Sequence, residues 1–197
     1  MGEVREFRPV MRLMAVSSRN DIAFDWATQK AVEQWGPVQF ASPRFDFSET
    51  GFYTKTMGEG LQKQLLAFTQ LIQQDIVVDS KLQSNVWEDE FKALQEWEEP
   101  RPINLDPGYL TEAKLVLATT KDRDHRIYLS RGIFVEVTLF YQGLRWQSSR
   151  WTYPDYKRDD FHEFFNQCRE WLRDQYAAAG HRSNAGYIKK PGQHPYE

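Results

Sequence analysis

The chain has 197 residues, with 25 lysines and arginines against 28 aspartates and glutamates, for a formal charge of −3. That balance excludes a surface-wide electrostatic grip on a polyanion, so nucleic acid is not an expected partner. Hydrophobic residues make up 41% and aromatics 15%, enough for apolar burial to offset the ordering entropy of one compact domain.

Residues 1–11 read as a charged leader. Met1 to Pro9 carries no signal-peptide core, and nowhere do eighteen uncharged apolar residues follow one another, so neither secretion nor membrane crossing is expected. Leu13 to Val16 reads as a buried strand ending in Ser17-Ser18. Asn20 or Asp21 then caps a helix carrying Ile22, Ala23, Trp26, Ala27, Val32 and Trp35, closed by Gly36-Pro37. Val38 to Ala41 is extended, and Ser42 to Gly60 is a long irregular excursion.

Leu61 to Ile72 fits both helical and strand periods; we read a strand from about Gln64. Helical spacing runs from Asp75 to Glu98, through Val78, Leu82, Val86, Trp87, Phe91 and Leu94, before Pro100-Arg101-Pro102 ends it. Asn104 to Tyr109 reads as a Pro-Gly turn that aims Asp106 and Tyr109. Leu110 to Thr120 is either a short helix opened by Thr111 or a buried strand.

Between His125 and Gln147 three alternating runs are separated by Ser130-Arg131-Gly132 and by Gln142-Gly143. A three-residue first loop puts Ile127, Leu129, Ile133, Val135, Val137 and Leu139 on one apolar face. Arg126 then faces Glu136, Tyr128 faces Phe134, and Thr138, Arg145 and Gln147 join them on a polar face. A two-residue turn at Gln142-Gly143 sets Leu139 opposite Trp146 and Tyr141 opposite Leu144. The last helix carries Phe161, Phe164, Phe165, Cys168, Trp171, Leu172 and Tyr176 at 3.6-residue spacing behind Asp159 or Asp160. The apolar face of this three-stranded meander is expected to pack on it.

Cys168 is the single cysteine; it excludes an internal disulfide and suits a reducing, cytoplasmic setting. Residues 180–197 read as a flexible tail. The fold expected is a single α+β domain over residues 12–179, with an antiparallel or mixed sheet and a first half that fits a ferredoxin-like arrangement.

Chemistry concentrates after the Pro-Gly segment. Lys121, His125 and Arg126 with Thr119 and Thr120 combine cations and hydroxyls, as a phosphate requires. Asp106 and Glu136 are carboxylates that suit a divalent cation such as magnesium or manganese, or acid/base work. His125 is the candidate general acid or base. Trp151-Thr152-Tyr153-Pro154-Asp155-Tyr156 supplies aromatics, so Tyr109 or Tyr153 is a stacking candidate and Asp155 a further ligand-binding one. Histidine spacing supports no zinc site. Neither the P-loop nor the serine-hydrolase elbow is present in the sequence.

The stretches Asn104 to Leu110, Lys114 to Lys121, His125 to Leu129, Gly132-Ile133, Glu136 to Leu139 and Trp151 to Tyr156 together resemble the bacterial and archaeal domain-of-unknown-function family 4416, from about Arg12 to Tyr176. The resemblance implies no catalytic residues. Some members carry automatic labels such as GTP-binding protein, and no P-loop here supports that label. Two functions follow as expectations. One is binding or turnover of a phosphate-bearing small molecule such as a nucleotide through the polar sheet face. The other is a noncatalytic protein-interaction module in which those residues are structural. Oligomeric state is not fixed by the sequence.

Overall fold

The computed structural model describes residues 8–46 and 54–181. The order of elements begins with strand β1 (Val10–Ser18), helix α1 (Asp21–Trp35) and strands β2 (Val38–Ala41) and β3 (Phe45–Asp46). The short helix α2 (Thr54–Met57), strand β4 (Gln62–Ile72), helix α3 (Val77–Lys92) and strands β5 (Asn104–Leu110) and β6 (Lys114–Thr119) follow. The chain continues through β7 (Ile127–Ser130), β8 (Ile133–Gln142) and β9 (Arg145–Ser148) to helix α4 (Asp159–Ala178). It is a single α+β domain on one nine-stranded antiparallel sheet of order β2-β4-β1-β5-β6-β8-β7, with β3 beside β4 and β9 beside β8.

The first half, β1-α1-β2-β4-α3-β5 with strand order β2-β4-β1-β5, has the split βαβ topology of ferredoxin-like folds. Alternation along β1 explains why both sheet faces need covering. Met14 and Val16 join Phe24, Ala27, Trp35, Trp87 and Phe91 of α1 and α3 on one face. Met11, Leu13 and Ala15 join Phe161, Phe165, Cys168 and Leu172 of α4 on the other. Arg12 falls on the α1/α3 side, its guanidinium 4.7 Å from the Trp35 ring, and burial lowers it to about 10. Burial likewise pushes the Cys168 thiol up, as suits a residue filling the core.

Four expectations need correction. Asn104 to Tyr109 is strand, not turn: β6 pairs with β5 only from Gly108, so Pro107 sits where β5 has β1 as its one neighbour and its missing N–H costs no ladder bond. The glycine is there for close approach, since a Cβ on Gly108 would stand 2.1 Å from the Val116 carbonyl oxygen. Helix α3 stops at Lys92 rather than Glu98. Trp97 folds back against Phe91, ring centroids 4.7 Å apart, and its indole N–H donates to the Phe91 and Lys92 carbonyls, satisfying groups at the helix end.

The other two concern the hairpins. Ile127 faces Val135 and Tyr128 faces Phe134 as expected, but Leu129 is bulged and Ser130 pairs with Ile133. The second turn is Gly143-Leu144, both at positive φ, so that Tyr141 pairs with Trp146 and Leu139 with Ser148. A bulge also leaves Thr138 without a β6 counterpart, between the Leu115–Leu139 and Val116–Val137 pairs, and it reverses the alternation. Leu139 and Trp146 therefore meet α4, while Ile133 and Val135 turn to the α3 side with Val77 and Val78. On the α4 side, the face of β7 and early β8 is the polar one. Both β7 and β9 lie along the edge of β8 opposite β6.

The tail from residue 182, most of the leader and part of the 42–60 excursion lie outside the described residues.

Candidate functional site

The polar face opens into a cleft on the α4 side of the sheet, next to the segment that leads into α4. Lys63 of β4, Lys81 of α3, Asp106 of β5, Glu136 of β8, and Lys121 and Arg126 of the β6–β7 connection line it. Thr119, Thr120, Tyr153 and Tyr156 complete its walls with Leu117 and Ala118. Its volume is about 60 Å³, far below the several hundred cubic ångströms of a pocket that encloses a whole organic ligand. It has room for one small charged group.

Register explains the convergence. Asp106 pairs with Ala15, Lys63 with Ser17, and Leu117 with both Gly108 and Glu136, so all these side chains share one face. Lys81 comes from α3, where β5 and β6 part beyond the Gly108–Leu117 pair. Its ammonium donates to the Leu105 carbonyl at 2.7 Å and lies 3.4 Å from Asp106 Oδ1. Asn104 Nδ2 donates to Asp106 Oδ2 at 2.7 Å. Burial alone would raise the Asp106 carboxyl, but Lys81, Lys63, Asn104 and Arg101 together hold it below its ordinary value. It is therefore a carboxylate.

The far wall is an ion-pair network. Glu136 Oε2 accepts from Arg126 Nε at 2.7 Å and sits 3.1 Å from His125 Nε2. Arg126 Nη1 donates to the Lys121 carbonyl at 3.0 Å, tying the connection to the sheet. Burial would lower the Arg126 guanidinium, yet its bonds to Glu136 and Tyr153 hold it above its usual value. Lys121 moves the other way: burial lowers its ammonium, Arg101, Arg126 and Lys81 push in the same direction, and Asp106 opposes them. The Lys121 backbone N–H donates to Thr119 Oγ1 at 3.2 Å, which turns the connection at this point.

Of the residues singled out from the sequence, Asp106, Thr119, Thr120, Lys121, Arg126, Glu136 and Tyr153 meet at the cleft. His125 stands behind them, its Nδ1 3.2 Å from Asp124 and its Nε2 on Glu136, with its ring stacked on Trp151. It orients Glu136 rather than facing the cleft. Asp155 is buried and bonds Lys63, one residue removed from the wall. Tyr109 does not join them: it pairs with Arg12 on the opposite sheet face and packs with Val116, Ala118 and Ile133.

Lys63 and Lys81 are lining residues that motif reasoning missed. Both carried a signal. Lys63 precedes Leu65 and Ala67 on the period-2 face of β4, and Lys81 lies on the buried stripe Val78-Lys81-Ser84-Trp87 of α3. A lysine on an apolar stripe needs partners, and partners make a site. Among the described residues no group of three or more His, Cys, Asp or Glu side chains is placed to hold a metal ion. No helix among them is long and apolar enough to cross a membrane.

A family model described as Domain of unknown function (DUF4416) matches residues 8–172. No curated protein and no solved structure matches the chain.

Proposed function

The chain belongs to the DUF4416 family, and on that premise we propose that it binds a phosphate-bearing small molecule, seating the phosphoryl group in the cleft between β5, β6 and β8. The observation that carries this reading is the convergence of four cationic side chains, Lys63, Lys81, Lys121 and Arg126, on one small cleft that they share with Asp106 and Glu136, with Asp155 paired to Lys63 behind the wall. Burial first, and then the nearby charges of Arg101, Arg126 and Lys81, push the Lys121 ammonium below its ordinary pKa. An incoming anion relieves that repulsion and gains charge-assisted bonds from ammonium and guanidinium groups already fixed in place. Asp106 and Glu136 both line the same small volume, and they are the residues that would hold a magnesium or manganese ion, which would supply charge neutralisation for a phosphoryl group. Turnover, as opposed to binding, would fall to these two carboxylates, because His125 does not line the cleft and its ring nitrogens are engaged by Asp124 and Glu136.

A thermal-shift panel of nucleotides and phosphorylated metabolites, with and without magnesium or manganese, tests the reading, since a ligand of the native state raises the unfolding midpoint. At least one phosphorylated compound is expected to raise it, with Arg126→Gln weakening the response. A flat panel would point to the second reading, a noncatalytic interaction module. What favours that reading is the end strand β7, where Ile127 is 66% exposed and Leu129 and Val137 lie open nearby. Light scattering across a concentration series would then show self-association.

A further inference from the structure

A cleft of about 60 Å³ takes the phosphoryl end of an organic ligand and leaves the rest outside. The segment that leads into α4, which puts Tyr153 in the cleft wall, also offers an aromatic plane to receive that remainder. Trp151 is 40% exposed, yet its indole is held flat against His125, ring centroids 5.3 Å apart and planes 16° from parallel. His125 is fixed in turn by Glu136 at 3.1 Å, through the same carboxylate oxygen that takes Arg126 Nε at 2.7 Å. An aromatic plane is thus anchored two contacts from the cationic wall. Tyr153, two residues on in the same segment, lines the cleft itself and bonds Arg126. The exposed Arg150 guanidinium also lies over the indole, 5.3 Å from the ring centroid. A flat ligand ring would share or displace it.

We propose that the cleft and Trp151 are two subsites for one ligand, a phosphomonoester of a planar aromatic group, with the phosphoryl in the cleft and the ring stacked on the indole. The proposal rests on the cleft being a phosphoryl site. A nucleoside monophosphate and a simple aryl phosphate share this chemistry, and they separate in the test.

The experiment is calorimetric titration of the full chain with inorganic phosphate, ribose 5-phosphate, a nucleoside monophosphate and phenyl phosphate. It is repeated for Trp151→Ala and Trp151→Phe after their unfolding midpoints are matched to the parent. Stacking of one ring on an aromatic side chain predicts that an aromatic phosphate binds about tenfold tighter than ribose 5-phosphate. Trp151→Ala should abolish that advantage and leave the ribose 5-phosphate affinity unchanged, and Trp151→Phe should keep most of it. Whichever of the two aromatic ligands is tighter names the source. Equal affinity for ribose 5-phosphate and both aromatic ligands would overturn the stacking subsite while leaving the phosphoryl site intact. So would an aromatic advantage that survives Trp151→Ala. If none of the four ligands binds, the phosphoryl site and the proposal built on it fall together.

Discussion

At Gly108 the Val116 carbonyl and the Leu117 side chain fill the space a side chain would take. Pro107-Gly108 has the composition of a turn, but the glycine lies in a strand, where the β6 backbone leaves no space for a side chain. Gly108→Ala would drive a Cβ to 2.1 Å from the Val116 carbonyl oxygen, and backbone cannot step aside as a flexible side chain can. Overpacking of this kind costs about 3 kcal/mol, so chemical denaturation should show a clear loss of stability. An alanine variant as stable as the parent would contradict the close approach. Lys63 and Lys81 teach a related lesson. Each is one charge on an otherwise apolar stripe, visible once the face of the element is known and silent before that, because a lone lysine in sequence carries no motif. The β6–β7 residues Lys121 and Arg126 were legible because cations and hydroxyls crowd together there in the chain itself.

At the scale of elements, what periodicity can show is the face of a strand, and a bulge is what hides it. The pairings Ile127–Val135 and Tyr128–Phe134 follow from alternation, but the extra residue at Thr138 hands the α4 side from Glu136 to Leu139. No residue type announces that bulge, so the packing partner of each half of β8 could not be assigned from pattern alone. Helix α3 illustrates the same limit at an end. Helical spacing continues past Lys92, whereas the chain turns there and uses Trp97 as a lid on Phe91 and on the last carbonyls. Trp97→Ala should fray this end and cost about 2 kcal/mol in lost burial and capping. Hydrogen exchange should quicken in the last turn of α3 and leave the β1–β4 ladder protected. Unchanged exchange at the α3 terminus would show that the tryptophan is not what closes it.

Over the whole molecule, the ferredoxin-like half and the β6–β9 extension share one sheet, and the cleft lies where they join. Neither half holds it alone. Lys63, Lys81 and Asp106 come from the first, and Lys121, Arg126 and Glu136 from the second. That division explains why the sequence motifs pointed to only part of the site. The central claim is that this junction binds a phosphoryl anion through cations that include Lys121. The ammonium is depressed below the ordinary lysine value of 10.5, so it carries its charge below that lowered pKa and loses it as pH rises through it. Anion affinity should therefore fall on the alkaline side earlier than an unperturbed lysine would allow. The direct measurement is calorimetric titration of inorganic phosphate into the parent and into Lys121→Gln across a series of pH values. The account predicts saturable one-site binding near neutral pH, about tenfold weaker in Lys121→Gln, with the difference vanishing as pH passes the depressed Lys121 pKa. Absence of phosphate binding at every pH, or equal binding by the two proteins near neutrality, would contradict it.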